Sequence, residues 1–170
     1  DLKTSEVLLN LNDCIYFQKQ VDKLKDIVTM LGNKVDILAL GYTGAGPYPQ
    51  TYINPNTDKV LLVAEADKKK KAFFERYLVY VKIFDPIVNI PFAGEYILGG
   101  KHSYLNSYRG VADAFEVKDF DDKAVILDNG GSIDLFNDII INERKNLYPK
   151  KDIDKRIQKI KDNKFDYENE

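Results

Sequence analysis

The chain has 170 residues, of which 44% are hydrophobic and 12% aromatic, so it is long enough and apolar enough to fold around one core as a single domain. Its formal net charge of −2 lacks the basic excess that is typical of nucleic-acid binders. A single cysteine excludes an internal disulfide and a cysteine-rich zinc site, and no apolar stretch approaches the roughly 20 residues that span a bilayer.

The first part of the chain alternates predicted strands with a predicted helix. Val7–Leu11 is an apolar run of strand length, and Val35–Leu40 is a second one. Between them, apolar residues recur at helical spacing, and Gly32-Asn33 is typical of a helix C-cap. The second strand leads into a loop rich in glycine and proline, Gly41–Gln50.

A long helix is predicted in the middle of the chain, because aromatic and aliphatic side chains from Phe73 to Phe84 share one broad face before Pro86. Its start is open, since Val60–Val63 fits either a short strand or the first helical turns. We expect the lysine run at 68–71 to form a solvated helix face, because acidic neighbours balance its charge. Ile87–Ile90 is a third predicted strand.

The last third has shorter predicted elements. Phe115–Val117 and Ala124–Leu127 fit short strands, and Asp128–Gly131 is a strong turn signal before Ser132–Leu135. From Lys150 onward we predict a charged helix that docks on the body of the protein through a narrow apolar stripe of Ile153, Ile157 and Ile160.

This alternation indicates an α/β layered architecture in which candidate loops follow Leu11, Leu40 and Ile90. The loops are expected to meet at one edge of the sheet, as in a catalytic cleft, although ordinary packing of an α/β domain produces the same loops. Asp13 directly follows the first strand. Its carboxylate suits Zn, Fe or Mn if imidazoles complete the shell, and it equally suits a turn aspartate that accepts backbone hydrogen bonds.

Glycines in these loops fit two interpretations. Gly44, Gly46 and Gly94 allow backbone amides to approach an anion, but they also fit tight turns. Lys101, after two glycines, offers a cation for a phosphate or carboxylate. His102 is the only histidine in the chain, and one histidine cannot build a catalytic zinc site by itself.

Three segments in the same order and at similar spacing, Leu9–Cys14, Tyr42–Pro49 and Pro91–Gly94, resemble the C-terminal half of a metallo-β-lactamase-fold protein. The closest branch is the one that contains CMP-N-acetylneuraminate hydroxylase, and Asn129–Leu135 is similar to a hairpin of that branch. The resemblance implies the C-terminal half of an αββα sandwich, with a mixed sheet and flanking helices. Residues 1–149 would form this part of the domain, and residues 150–170 the charged C-terminal helix.

The resemblance also implies roles for individual residues. Asp13 matches the family's metal-bridging aspartate, and His102 lies near the position of a further ligand to Zn or Fe. The family's His-x-His-x-Asp-His motif is absent from this sequence, so a missing N-terminal half would have to supply it. The substrate pocket would be lined by Tyr42, Gly44, Gly46, Tyr48, Gly94 and Lys101.

The sequence thus predicts part of a metal-dependent hydrolase, inactive without the missing half, in which the metal activates water. Two alternatives stay open: a non-enzymatic half-fold that dimerises or docks on a partner, and a sugar-nucleotide binding module. The expected partners are the missing half or a second copy and a small-molecule substrate, with no nucleic acid and no membrane. Because the chain opens on Asp1 almost directly before a strand, we expect it to be a fragment of a longer protein. Because no signal peptide is visible, we expect a cytoplasmic location.

Overall fold

A computed structural model of the chain describes residues 5–12, 17–32 and 34–161. Helices and parallel strands alternate in it, which confirms the α/β class. The chain divides into two compact units, each of which is assembled from three separate segments. The first unit comprises Asp1–Tyr42, Phe73–Ala93 and Ala114–Asn146, and the second comprises Thr43–Ala72, Gly94–Asp113 and Leu147–Glu170.

The first unit contains a parallel sheet of three strands. Its strands are β1 (Leu8–Asn10), β2 (Ile37–Leu40) and β3 (Val88–Pro91), in the spatial order β1-β2-β3. β1 pairs with β2 from Leu8↔Ile37 onward, and β2 pairs with β3 from Ile37↔Val88 onward. The three predicted apolar runs are therefore confirmed as neighbouring strands. β1 and β2 are each shorter than the predicted run, and β3 is offset from it by one residue.

Helix α1 (Gln18–Met30) connects β1 to β2, as a parallel pair requires. Val21 and Val28 are its buried residues, and the helix ends where Gly32 adopts a φ of +103°. This left-handed conformation after the last turn is typical of a glycine C-cap and confirms the predicted helix end. Asn33, the second residue of the predicted cap, lies outside the described residues.

Helix α2 (Lys59–Phe84) is a single helix of 26 residues. It includes 60–63, so this segment forms the first helical turns and not a short strand. Residues 59–72 of α2 belong to the second unit and residues 73–84 to the first. In the first unit, the Tyr77 hydroxyl donates a 2.8 Å hydrogen bond to Asp121 Oδ2, which also accepts from Asn89 Nδ2 at 2.9 Å. The buried Asp121 carboxylate thereby connects α2 with β3.

The predicted strand at 115–117 is wrong, because Ala114–Asp119 forms a 3₁₀ helix. The run Phe-Glu-Val has only three residues, and the spacing of apolar residues over so short a segment fits a strand and a helical turn equally well. The predicted strand at 124–127 is only partly correct. Ala124 makes one parallel bridge to Asn89, whereas the next strand begins at Leu127.

The predicted turn at 128–131 is also wrong, since these residues lie inside strand β4 (Leu127–Asp134). β4 pairs antiparallel with β5 (Ile139–Glu143), and the pairing register shifts between Leu127 and Ser132. The hairpin turns instead at 135–138, where Oδ1 of Asp134 accepts hydrogen bonds from the N–H groups of Phe136 and Asn137, both 3.0 Å. The carboxylate stabilises this turn in preference to the Asn-Gly signal upstream.

Helix α3 (Lys150–Lys161) belongs to the second unit and packs against a 3₁₀ helix at Gly100–Tyr108. The side chains of the predicted stripe, Ile153, Ile157 and Ile160, are half-buried. Helix α3 belongs to the second unit together with 43–72 and 94–113. Within 5–12, 17–32 and 34–161, none of the helices is both long and apolar enough to cross a bilayer.

Candidate functional site

The carboxyl ends of the three parallel strands lie at one edge of the sheet in the first unit. Leu11 N–H donates to the Ala39 carbonyl at 2.9 Å, and Phe92 N–H donates to the Leu40 carbonyl at 2.7 Å. The Asn12 side chain lies against Gly41, where a Cβ would meet its Oδ1 at 3.3 Å. The strand ends are therefore side by side, as the sequence predicted for this edge.

Two predicted site residues at this edge have different outcomes. Asp13, the predicted metal ligand, follows Asn12 in the sequence but lies outside the described residues. Tyr42, predicted to contact the substrate, is only 4% exposed and belongs to the core of the first unit. Little of its side chain is therefore accessible to a ligand in this conformation.

A polar cluster in the second unit is built around the carbonyl oxygen of Gly46. This oxygen accepts hydrogen bonds from Gln50 Nε2 (3.3 Å), Lys69 Nζ (3.3 Å) and the Tyr96 hydroxyl (3.1 Å). Gln50 Nε2 also donates to the Tyr96 oxygen at 2.6 Å. We call Gly46, Gln50, Lys69, Tyr96 and Arg109 the Gly46 cluster.

Lys69 holds together three segments of the second unit. Besides the Gly46 carbonyl, its Nζ donates to the carbonyls of Tyr48 at 2.9 Å and Arg109 at 3.0 Å. Burial, assisted by the nearby Arg109 charge, lowers the pKa of Lys69 below its usual range. The prediction that the whole lysine run is a solvated face is therefore wrong for Lys69, whose ammonium group donates hydrogen bonds to backbone carbonyls.

Arg109 is the second cation of the Gly46 cluster and is only 8% exposed. Its Nε donates to the Asn106 carbonyl at 2.9 Å, and its guanidinium carbon lies 5.2 Å from the centre of the Tyr96 ring. Burial lowers the pKa of Arg109, while Tyr96 and Glu95 act in the opposite direction. Two polar atoms of the cluster, Arg109 Nη1 and Gln50 Oε1, are buried without a hydrogen-bond partner among the residues described.

Tyr48 and Gly44 occupy the same glycine-rich loop. The Tyr48 hydroxyl donates a 2.6 Å hydrogen bond to Glu65 Oε2, and this bond to the carboxylate raises the pKa of Tyr48. Tyr48 as a whole residue is 41% exposed, and the centre of its ring lies 5.9 Å from that of Tyr52. Gly44 is partly buried. The surface of Tyr48 is thus an accessible part of this predicted pocket wall.

Gly94 is a close-packing position in the second unit. Its φ is +108°, and a Cβ there would lie 2.7 Å from the Thr43 carbonyl oxygen and 2.8 Å from Thr43 Cγ2. Thr43 Oγ1 in turn accepts a hydrogen bond from Ala112 N–H at 3.4 Å. The close neighbour that requires glycine at 94 is therefore protein backbone.

Lys101 and His102 lie at the start of the 3₁₀ helix Gly100–Tyr108, and both side chains are exposed. His102 N–H donates to the Gly99 carbonyl at 3.3 Å. Among the described residues, no three histidine, cysteine, aspartate or glutamate side chains are close enough to hold a metal ion. These donors alone do not fit the metal centre that the family resemblance implies, so we derive no catalytic step through a metal.

Sequence reasoning did not identify Gln50, Lys69, Tyr96 or Arg109. One signal for Lys69 was present, because it stands seven residues after Leu62 and three after Ala66, on the buried stripe of α2. Arg109 follows a 3₁₀ helix, and no local pattern indicates that its guanidinium turns inward.

The comparisons with known proteins add no relative. No protein-family model, curated protein or solved structure matches this chain.

Proposed function

We propose that this chain is the substrate-binding part of a metallo-β-lactamase-fold metal-dependent hydrolase. A second, histidine-rich segment would complete its metal site. The observation that carries the proposal is the edge at which β1, β2 and β3 end side by side, with the chain continuing from β1 to Asp13. Ligand-binding groups collect at the carboxyl ends of parallel strands. In the resembling family, this is also the edge to which the bridging aspartate belongs.

The Gly46 cluster supports the substrate-binding part of the proposal. Lys69 and Tyr96 hold the backbone of the glycine-rich loop at the Gly46 carbonyl, and Lys69 also holds it at Tyr48. A loop fixed in this way can present its amides and the exposed Tyr48 ring to a ligand without first losing conformational entropy. Gly46 has open space on its Cβ side, so a ligand can approach its backbone closely.

Metal analysis of the protein isolated from its own cells tests the proposal. Three tagged forms are compared: wild type, Asp13→Ala and the control Asp22→Ala, which removes an exposed carboxylate of α1. We expect near-stoichiometric zinc or iron in wild type and Asp22→Ala, together with a histidine-rich segment identified by mass spectrometry. Asp13→Ala should lose the metal and keep that segment.

Three outcomes would contradict the proposal. Absence of metal from all three forms would leave no metal centre for Asp13 to join. Metal retained in Asp13→Ala would place the centre elsewhere. The second segment is proposed because the described residues contain no ligand set for a metal. Metal in the chain isolated alone from a heterologous host would refute the need for that segment.

A second candidate, the non-enzymatic half-fold that dimerises by docking on a second copy, is favoured by the hairpin β4–β5. Large apolar side chains are exposed along it: Phe136 (90%), Ile139 (49%), Ile140 (38%) and Ile141 (51%). Successive strand residues point to opposite faces, so Ile139 and Ile141 share one face of β5, and exposed apolar surface of this kind often marks an interaction site. Sedimentation velocity of wild type and Ile141→Lys discriminates, because a docking half-fold forms an oligomer that the charge abolishes, whereas the hydrolase proposal requires no self-association.

A further inference from the structure

We propose that a pocket in the second unit binds a small anionic ligand that carries an aromatic ring. The pocket has a volume of about 470 Å³, within the range of roughly 300–1,000 Å³ typical of small-molecule sites. It lies where the segment 95–97 faces helix α3. Its lining consists of Glu95, Tyr96, Ile97, Tyr148, Arg156, Lys159 and Ile160.

Two tyrosines give the pocket apolar walls that are held in place. Tyr96 is fixed through its hydroxyl, which donates to the Gly46 carbonyl, and through its ring, which contacts the Arg109 guanidinium. Tyr148 is fixed at its backbone, where its N–H donates to Asp113 Oδ2 at 3.0 Å. Rigid aromatic side chains lose little entropy on binding and offer faces for ring stacking.

The charges of the pocket favour an anion. Arg156 and Lys159 contribute two cations, against the single carboxylate of Glu95. They are three residues apart on α3 and so project from the same side of the helix, next to Ile160. The Arg156 guanidinium carbon lies 5.6 Å from the centre of the Tyr148 ring, so that an anion at Arg156 would lie beside an aromatic face.

Positive charge in the same unit, outside the pocket lining, also favours an anionic ligand. Arg109, which contacts the Tyr96 ring but does not line the pocket, is buried and has an Nη1 without a hydrogen-bond partner among the described residues. Lys69, which is half-buried, adds a second cation in the same unit. A guanidinium binds phosphate or carboxylate in a bidentate geometry, and an adjoining ring favours a ligand whose anionic group is attached to an aromatic system.

Calorimetric titration with phenyl phosphate tests this site, with inorganic phosphate and phenol as partial probes. We expect saturable binding of phenyl phosphate that is at least about tenfold tighter than that of either partial probe, because each lacks one of the two recognised groups. Arg156→Gln and Lys159→Gln should each weaken binding by about five- to tenfold.

The matched control is Lys155→Gln, which removes the same charge from an exposed position of α3 outside the pocket lining. It should leave the affinity unchanged within about twofold. Circular dichroism of each variant checks that α3 is retained. Absence of saturable phenyl phosphate binding would overturn the proposal, as would equal weakening by Lys155→Gln. Phosphate binding as tightly as phenyl phosphate would refute the role of the tyrosine walls.

This site is independent of the proposed metal centre, because none of its residues belongs to the edge of the β1-β2-β3 sheet. Titration of Asp13→Ala should give the wild-type affinity for phenyl phosphate. Failure of the pocket proposal therefore leaves the metal proposal intact, and the reverse also holds.

Discussion

Substitution of Gly94 by alanine provides a quantitative test of the site geometry. At φ +108° a side chain strains the backbone, which costs about 1–3 kcal/mol. A Cβ only 2.7 Å from the Thr43 carbonyl oxygen adds an overlap, for which overpacking costs of about 1–3 kcal/mol are typical. We therefore expect Gly94→Ala to lower the free energy of unfolding by about 2–6 kcal/mol.

The assay is urea unfolding followed by circular dichroism. With a slope of about 2 kcal/mol per molar urea, the unfolding midpoint should fall by about 1–3 M. Gly46→Ala is the matched control, because this glycine lies in the same unit, has no heavy atom within 4 Å of its Cβ position, and lacks a positive φ. Its midpoint should stay within about 0.3 M of wild type.

A second variant separates backbone overlap from methyl overlap. Thr43→Ser removes Cγ2 but keeps the carbonyl oxygen and the hydroxyl that accepts from Ala112. Because the shortest approach is to the carbonyl oxygen, Thr43→Ser should not restore the stability of Gly94→Ala. Full restoration, or equal destabilisation by Gly46→Ala and Gly94→Ala, would refute the reasoning.

Three further predictions concern buried polar groups. Tyr77→Phe removes the hydroxyl that donates to Asp121 and should cost about 1–2 kcal/mol in urea unfolding; an unchanged midpoint would contradict this. Burial opposes ionisation of Asp36, but hydrogen bonds from Lys34 and from backbone N–H lower its pKa overall. Its contribution to stability is therefore present above about pH 4 and is lost as the pH falls through the lower folded-state pKa, so that Asp36→Asn should flatten the acid limb of the stability profile. Lys69→Met should speed amide exchange at Gly46, Tyr48 and Gln50 about tenfold or more, whereas the control Lys68→Met, at an exposed neighbour, should not; equal rates would argue against the carbonyl contacts.

The central strand of the sheet was predictable because it is buried. Leu38 and Leu40 are almost fully buried in β2, and a continuous apolar run is what such a strand needs. The end of α1 was predictable because Gly32 supplies a conformation that other residues resist. The failures at 115–117 and 128–131 have a common cause: in short segments, local preference is weak, and contacts from elsewhere decide the structure.

The candidate site was predictable only in its loops. Glycine-rich segments after strands are recognisable in a sequence, and the carbonyls of Gly46 and Tyr48 in such a segment both accept hydrogen bonds from Lys69. The side chains that hold this loop come from 69, 96 and 109, so that their roles depend on tertiary contacts with segments more than 20 residues away. Lys69 shows the difficulty best, because nothing but its register on α2 distinguishes it from three adjacent lysines.

The division into units has a consequence for synthesis of the chain on the ribosome. Each unit takes one segment from the first half of the chain, one from the middle and one after residue 113. Neither unit can therefore be completed until most of the polypeptide has emerged, because its closing segment is translated last. Long-range loop closures of this kind slow folding and leave apolar strands such as β2 uncovered in the meantime. We expect nascent chains arrested at residue 110 to remain protease-sensitive in both units, whereas released full-length chains become resistant.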